Sequence, residues 1–161
     1  MVFCSDPLNP RAPDSVFMRE ADAAEALGLR RFLIDHDALD RHHSAGAAVR
    51  RVRPEGPTEA VYRGWMLRAE DHELLHAALA AKGVHLVNSP TQYQACHWGP
   101  LAYPFIARWA APSRFATADF ARLTDGGWLL IEVGDGQASE LPEAADPAAL
   151  LSAVAAKGSG N

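Results

Sequence analysis

Residues 119 to 137, DFARLTDGGWLLIEVGDGQ, gather three carboxylates, Asp119, Glu132 and Asp135, around a tight glycine turn. The run Thr124-Asp125-Gly126-Gly127 suits a hairpin, so Asp119 opens one antiparallel strand and Glu132 closes its partner. Side chains alternate along a strand, and the unbroken apolar run Trp128-Leu129-Leu130-Ile131 therefore predicts burial on both faces. Glu132 is placed inside or at the rim of a core. An ionised carboxylate is costly there unless a cation or hydrogen-bond donors meet it, and magnesium, which takes oxygen ligands, is a natural partner. Asp135 sits between glycines, where backbone and carboxylate both approach a ligand easily. The alternative is that Asp119 and Asp135 solvate turns while Glu132 pairs with an arginine.

A second pattern is His72-Glu73-Leu74-Leu75-His76, which matches H-E-x-x-H. On a helix this spacing sets two imidazoles one turn apart as zinc ligands, with the glutamate as general base. The extended protease pattern would place glycine and histidine at positions that here hold Leu79 and Lys82. The alternative for His72 and His76 is a solvated helix edge beside the apolar stripe. Asp35-His36-Asp37 and His42-His43 read as surface polar groups, and Ser5-Asp6 reads as a polar turn or a ligand contact at a sheet edge.

These groups need elements to hold them. Val2-Phe3-Cys4 is a short buried strand, followed by the proline-rich loop SDPLNPRAPD. Asp14 is an N-cap for a helix carrying Phe17, Ala21, Ala24 and Leu27 on one face and stopping at Gly28. Arg31 to Ile34 forms the second strand, which makes the opening a β-α-β unit. Val49 to Val52 and Ala60 to Trp65 are predicted as further strands. The clearest helix spans Ala69 to Lys82, with Leu74, Leu75, Ala78 and Leu79 on its apolar face, and passes through Gly83 into the strand Val84 to Val87. Asn88-Ser89-Pro90 caps a short helix, and Asp146-Pro147 opens a last one. The fold class is α/β: a Rossmann-like N-terminal layer of mainly parallel strands, followed by a short antiparallel C-terminal segment.

With 161 residues at 48% hydrophobic composition, the chain suffices for one domain with a core or two small lobes sharing one. A formal net charge of -5 and the lack of a long basic run argue against direct nucleic-acid binding. Cys4 and Cys96 have no metal or disulfide spacing, as suits a reducing compartment. The start, MVFCSDPLNP, lacks the pattern of a signal peptide, and no apolar run is long enough to span a bilayer, so a soluble cytoplasmic protein without membrane partners is expected.

A strand beginning Asp119-Phe120, a DG turn, and an apolar strand ending in Glu132 before a short glycine loop together resemble the closing segment of the ATP-grasp fold. More specifically, EVGDGQASELPE, FCSDPLNPR and YRGWML are similar to the ATP-grasp clade named for two arginines and a lysine. The resemblance covers the first hundred residues and roughly residues 112 to 150, and is most specific in the second block. It implies ATP and magnesium as cofactors, with Asp119 and Glu132 as metal ligands. The third ligand position of the family falls on Gly134, with Asp135 as the nearest carboxylate. Arg63 is implied as a phosphate or substrate arginine, a role that guanidinium geometry suits. The implied division is a pre-ATP-grasp-type subdomain over residues 1–100, an ATP-grasp-like hairpin and helix over 101–156, and a frayed tail over 157–161. The implied chemistry is ligation of a small-molecule or peptide carboxylate to an amine through an acyl phosphate. The segment Tyr103 to Ser113 is short for the lobe that clamps nucleotide in this family and contains no lysine. The likeness therefore also admits a non-catalytic binding or scaffold protein that keeps only part of the fold.

Overall fold

Val2–Cys4 forms β1, and all three side chains are fully buried. It is flanked in parallel by β2 (Phe32–Ile34) and by β4 (Tyr62–Arg63), with Val2 opposite both Phe32 and Tyr62. A strand buried on both faces has no need of polar alternation, and its wholly apolar sequence reflects that. This is a computed structural model, which describes residues 1–97, 116–124, 126–136 and 141–158; at 116, 121, 129, 131–133, 135 and 157–158 it describes the backbone alone.

Between β1 and β2 the Asp14 carboxylate accepts from the Val16 amide and caps a 3-10 turn (Ser15–Phe17) that runs into α1 (Met18–Ala26). Phe17, Glu20, Ala21 and Ala24 face inward, while Leu27 is exposed. Gly28, at φ 70°, then takes the left-handed conformation that closes the helix, its amide bonding to the Glu25 carbonyl. After β2, Asp35 caps α2 (His36–Asp40), and α3 (Ala45–Ala48) follows. Val49 to Val52, expected as a strand, is instead a turn closed by the Val52 amide on the Val49 carbonyl. Both valines are buried, but they are three residues apart and enter the core from a turn, so their spacing carries no strand alternation.

The expected single parallel layer is divided into two short sheets. β3 (Thr58–Ala60) pairs in parallel with β5 (Val84–Leu86), whereas β4 pairs with β1. One residue, Val61, separates β3 from β4. Its carbonyl accepts from the Val2 amide at 2.9 Å, while the preceding carbonyl of Ala60 accepts from Val87 at 3.0 Å. The chain from 58 to 63 thus turns its hydrogen-bonding groups from one neighbour to the other. α4 (Ala69–Ala80) crosses from β4 to β5, burying Asp71, His72, Leu75 and Leu79. The expected stripe is displaced to one side, since Leu74 lies outside and His72 inside. Ser89 and Gln92 then cap α5 (Pro90–His97) reciprocally, amide to side chain in both directions.

β6 (Ala116–Arg122) and β7 (Trp128–Asp135) form an antiparallel pair with a register shift between Asp119 and Phe120. The turn is closed by Leu123 and Gly127, with Gly126 at φ 89°. α6 (Pro147–Gly158), opened by Asp146 accepting from the Ala148 amide, returns to pack on α1 and buries Leu151. Among the described residues no helix is long and apolar enough to cross a membrane.

At Gly64, immediately after β4, an added Cβ would lie 2.5 Å from the Cys4 sulfur and 2.6 Å from the Tyr62 ring. The three groups are already in contact, so Gly64→Ala is expected to destabilise the fold by about 1–3 kcal/mol through overpacking. Urea unfolding checks this, the midpoint falling with an unchanged slope.

Candidate functional site

The carboxyl end of β4 delivers Arg63 into the interior, where it is 2% exposed. Its Nε donates to Glu20 Oε2 at 2.7 Å and its Nη2 to Glu20 Oε1 at 2.6 Å, a bidentate pair with a carboxylate that is itself buried on α1. Nη1 donates to the carbonyl of Gly136, in the turn that ends β7. All three guanidinium nitrogens are thus engaged within the protein, and Arg63 joins α1, the sheet and the hairpin. Sequence spacing does not single out Glu20, although it falls three residues after Phe17 and four before Ala24, in phase with the buried face. Carboxylates are seldom placed on an inward stripe unless a partner is known, and this partner lies 43 residues away.

In the hairpin, Asp119 and Glu132 are direct partners across the ladder. Asp119 is exposed and makes no ion pair among the described residues. The side chains of Glu132 and Asp135 lie outside those described. The backbone register pairs Asp135 with Ala116, three residues beyond Glu132 and about 10 Å along the strand. The register thus brings Asp119 and Glu132 together and leaves Asp135 apart. No group of three His, Cys, Asp or Glu side chains is arranged to hold a metal among the described residues.

The H-E-x-x-H residues sit differently from either expectation. His72 is fully buried and stacks on Tyr93 with ring centroids 3.9 Å apart and planes 5° from parallel, so it is no solvated edge. His76 lies 6.4 Å away centroid to centroid, and Glu73 is exposed. No third ligand joins the two histidines among the described residues, which therefore do not form the zinc-hydrolase geometry among themselves. Neither ring nitrogen of His72 has a hydrogen-bond partner among the described residues. Burial, reinforced by the neighbouring His76 and His97, lowers its pKa to about 3. The preceding residue, Asp71, is fully buried and receives His43 Nδ1 at 2.6 Å and Arg68 Nε at 2.9 Å. Burial acts to raise the Asp71 pKa, but these two hydrogen bonds and charges outweigh it and leave it lowered.

A model of an ATP-grasp domain family, the third family of the clade named for two arginines and a lysine, matches residues 102–154. That is about a third of the chain, a span that includes the whole hairpin and most of α6. The match supports an ATP-grasp relationship. No curated protein and no solved structure matches the chain.

Two outcomes follow from this geometry. Replacing one member of the buried pair leaves a stranded charge, so Arg63→Met is expected to cost about 3–5 kcal/mol, with much of the loss recovered in the Glu20→Leu/Arg63→Met double variant. A double-mutant cycle by urea unfolding reads this coupling. For His72, a folded pKa near 3 against 6.5 when unfolded means that the unfolded chain takes up the proton first as the pH falls. Its contribution is complete above about pH 6.5 and declines towards pH 3, a loss of roughly 2–3 kcal/mol at pH 4.5. His72→Phe should flatten the stability profile between pH 6.5 and 4.5, as thermal melts across that range would show. Asp71 acts at lower pH: its depressed pKa gives stability above the ordinary carboxylate range that is lost as the pH falls through the folded value.

Proposed function

We propose that this ATP-grasp domain-containing protein binds magnesium and ATP at the β6–β7 hairpin and ligates a carboxylate to an amine. The observation that carries the reading is the register of Asp119 against Glu132 within the segment matched by the ATP-grasp family model. Positions directly opposite in an antiparallel pair are neighbours on one face, and two carboxylates there form an all-oxygen donor set of the kind magnesium takes. Asp119 and Glu132 would hold the ion, and Asp135 is assigned a supporting contact from the adjoining turn. Bound magnesium would stabilise charge on the transferred phosphoryl group. The work of the chain is to position and to exclude water. Arg63, engaged by Glu20, acts on this site by fixing the Gly136 carbonyl, and so the end of the strand that carries Glu132.

The reaction that suits such a site is attack of a carboxylate oxygen of a small molecule or peptide on the γ-phosphorus of ATP, with ADP leaving. The amine nitrogen then attacks the acyl carbon, and phosphate departs. A second reading, a binding or scaffold protein without catalysis, is favoured by the internal engagement of Arg63 and by the lack of lysine between Tyr103 and Ser113.

Titration calorimetry with ATP, with and without magnesium, tests the site. Magnesium-dependent binding that weakens at least tenfold in Glu132→Ala and in Asp119→Asn is expected. Binding that ignores magnesium or these substitutions would overturn the assignment. Binding without carboxylate-dependent release of phosphate would select the non-catalytic reading.

A further inference from the structure

The carboxyl edge of the parallel sheet carries a small cavity that the hairpin reading does not use. Its volume is about 110 Å³, and its lining includes Ser5, which follows β1, Asp35 and His36, which follow β2, Asp37, and Trp65, which follows β4. Crevices at this edge of a parallel sheet are where strand ends and loop side chains converge on ligands. Two lining groups are polar and unmet. Ser5 is only 8% exposed, and its hydroxyl has no hydrogen-bond partner among the described residues; its amide is spent on the Ile34 carbonyl. His36 Nε2 is buried and also without a partner among them. A buried, unpartnered ring nitrogen such as His36 Nε2 calls for a partner such as a water, an ion or a ligand group, and the unpaired Ser5 hydroxyl lies on the same lining.

The chemistry of the lining limits the ligand. Asp14 is already occupied, one oxygen by the Val16 amide and the other by the Trp65 indole at 3.0 Å. Asp35 spends one oxygen on the Ala38 amide, and Asp37 has only a distant contact with exposed Arg41 at 3.7 Å. Carboxylate capacity therefore remains, and it disfavours an anion. The acids and His36 are not arranged as a group of three able to hold a metal ion. A larger organic cation needs no such close convergence, and an ammonium group offers three donors to a serine oxygen and carboxylates. Trp65, partly exposed and on the cavity lining, offers aromatic surface to the carbons beside the charge. At about 30 Å³ per water-sized group, the cavity has room for three or four heavy atoms.

We propose that this cavity binds the ammonium end of a small primary amine. The proposal does not depend on nucleotide binding at the hairpin.

The test is an amide and indole NMR titration of the whole chain at neutral pH with n-propylammonium, using n-propanol and propionate as the uncharged and anionic counterparts. Saturable shifts at Ser5, His36 and the Trp65 indole with propylammonium alone are expected. Asp35→Asn/Asp37→Asn, which keeps an α2 cap, and separately Ser5→Ala should each weaken the apparent affinity at least fivefold. If the double variant does not fold, Asp37→Asn alone carries the charge test. Equal shifts with n-propanol, no saturation, saturation of the same signals by zinc at lower concentration, or unchanged affinity in the folded variants would each overturn the proposal.

Discussion

The pairing of Glu20 with Arg63 is the constraint on which the arrangement of the other elements rests. Both groups have lost their water, and desolvating two charges costs several kcal/mol each unless their mutual geometry restores it. Here the carboxylate is met by two parallel N–H donors, and the remaining guanidinium nitrogen reaches the Gly136 carbonyl. That third bond draws a two-stranded hairpin against the body of the protein. An isolated hairpin is at best marginally stable in water, so β6 and β7 need such tethers. A second one is supplied by α6, which follows the hairpin, buries Leu151 and lies on α1, the helix that carries Glu20; Arg19 of α1 also reaches the Ala145 carbonyl.

The sheet edge beside this pair is built from the same few residues. Because residues 58 to 63 serve β5 first and β1 afterwards, Tyr62 and Arg63 emerge where Cys4 ends β1. The Tyr62 hydroxyl bonds the Trp65 carbonyl and contacts the Cys4 sulfur, and the Trp65 indole returns to Asp14, the cap of the first helical turn. Gly64 is the residue small enough to let this circuit close. Burial, partly offset by the Tyr62 hydrogen bond, raises the Cys4 thiol to about 11, so it is protonated and unreactive at neutral pH. Cys4 is a packing residue here, buried against Tyr62 at the edge that carries Ser5 and Trp65.

Much of this scaffold could be read in the sequence, because its signals are local. The Asp14 cap, the glycine stops at 28 and 83, the extent of α4 and the turn before Trp128 each depend on a few neighbouring residues. What escaped was decided at a distance. The apolar count on α4 favours a face of Leu74, Leu75, Ala78 and Leu79, yet Tyr93 offers a ring for His72 to stack on, and the helix turns that side inward. Val49 and Val52 are buried by a turn that no alternation announces. Of the candidate site, the hairpin follows from the strand pattern, but Asp119 and Glu132 lie within β6 and β7 rather than at their ends. Trp128 is exposed where its apolar run predicts burial on both faces, because a two-stranded pair covers only part of its own surface. The engagement of Arg63 does not follow from the sequence, since nothing in the spacing of a carboxylate at 20 points to a guanidinium at 63.

The acidic residues of the chain divide by what already neutralises them. Glu20 and Asp71 are buried, and each is met by the protein's own groups, Glu20 by Arg63 and Asp71 by Arg68 together with a hydrogen bond from His43. Their charges are used internally, and adding a ligand cation would have to displace a hydrogen-bonded partner. Asp119 is exposed, lies opposite Glu132, and has no such partner among the described residues. A divalent ion brought with a nucleotide gains most where the protein has not supplied a competing cation. On the proposed function, that difference favours the hairpin over the buried acids Glu20 and Asp71 as the place for such an ion. The clamp at Arg63 serves the hairpin as it stands: its charge is balanced by Glu20, and its third nitrogen holds the Gly136 carbonyl at the end of β7.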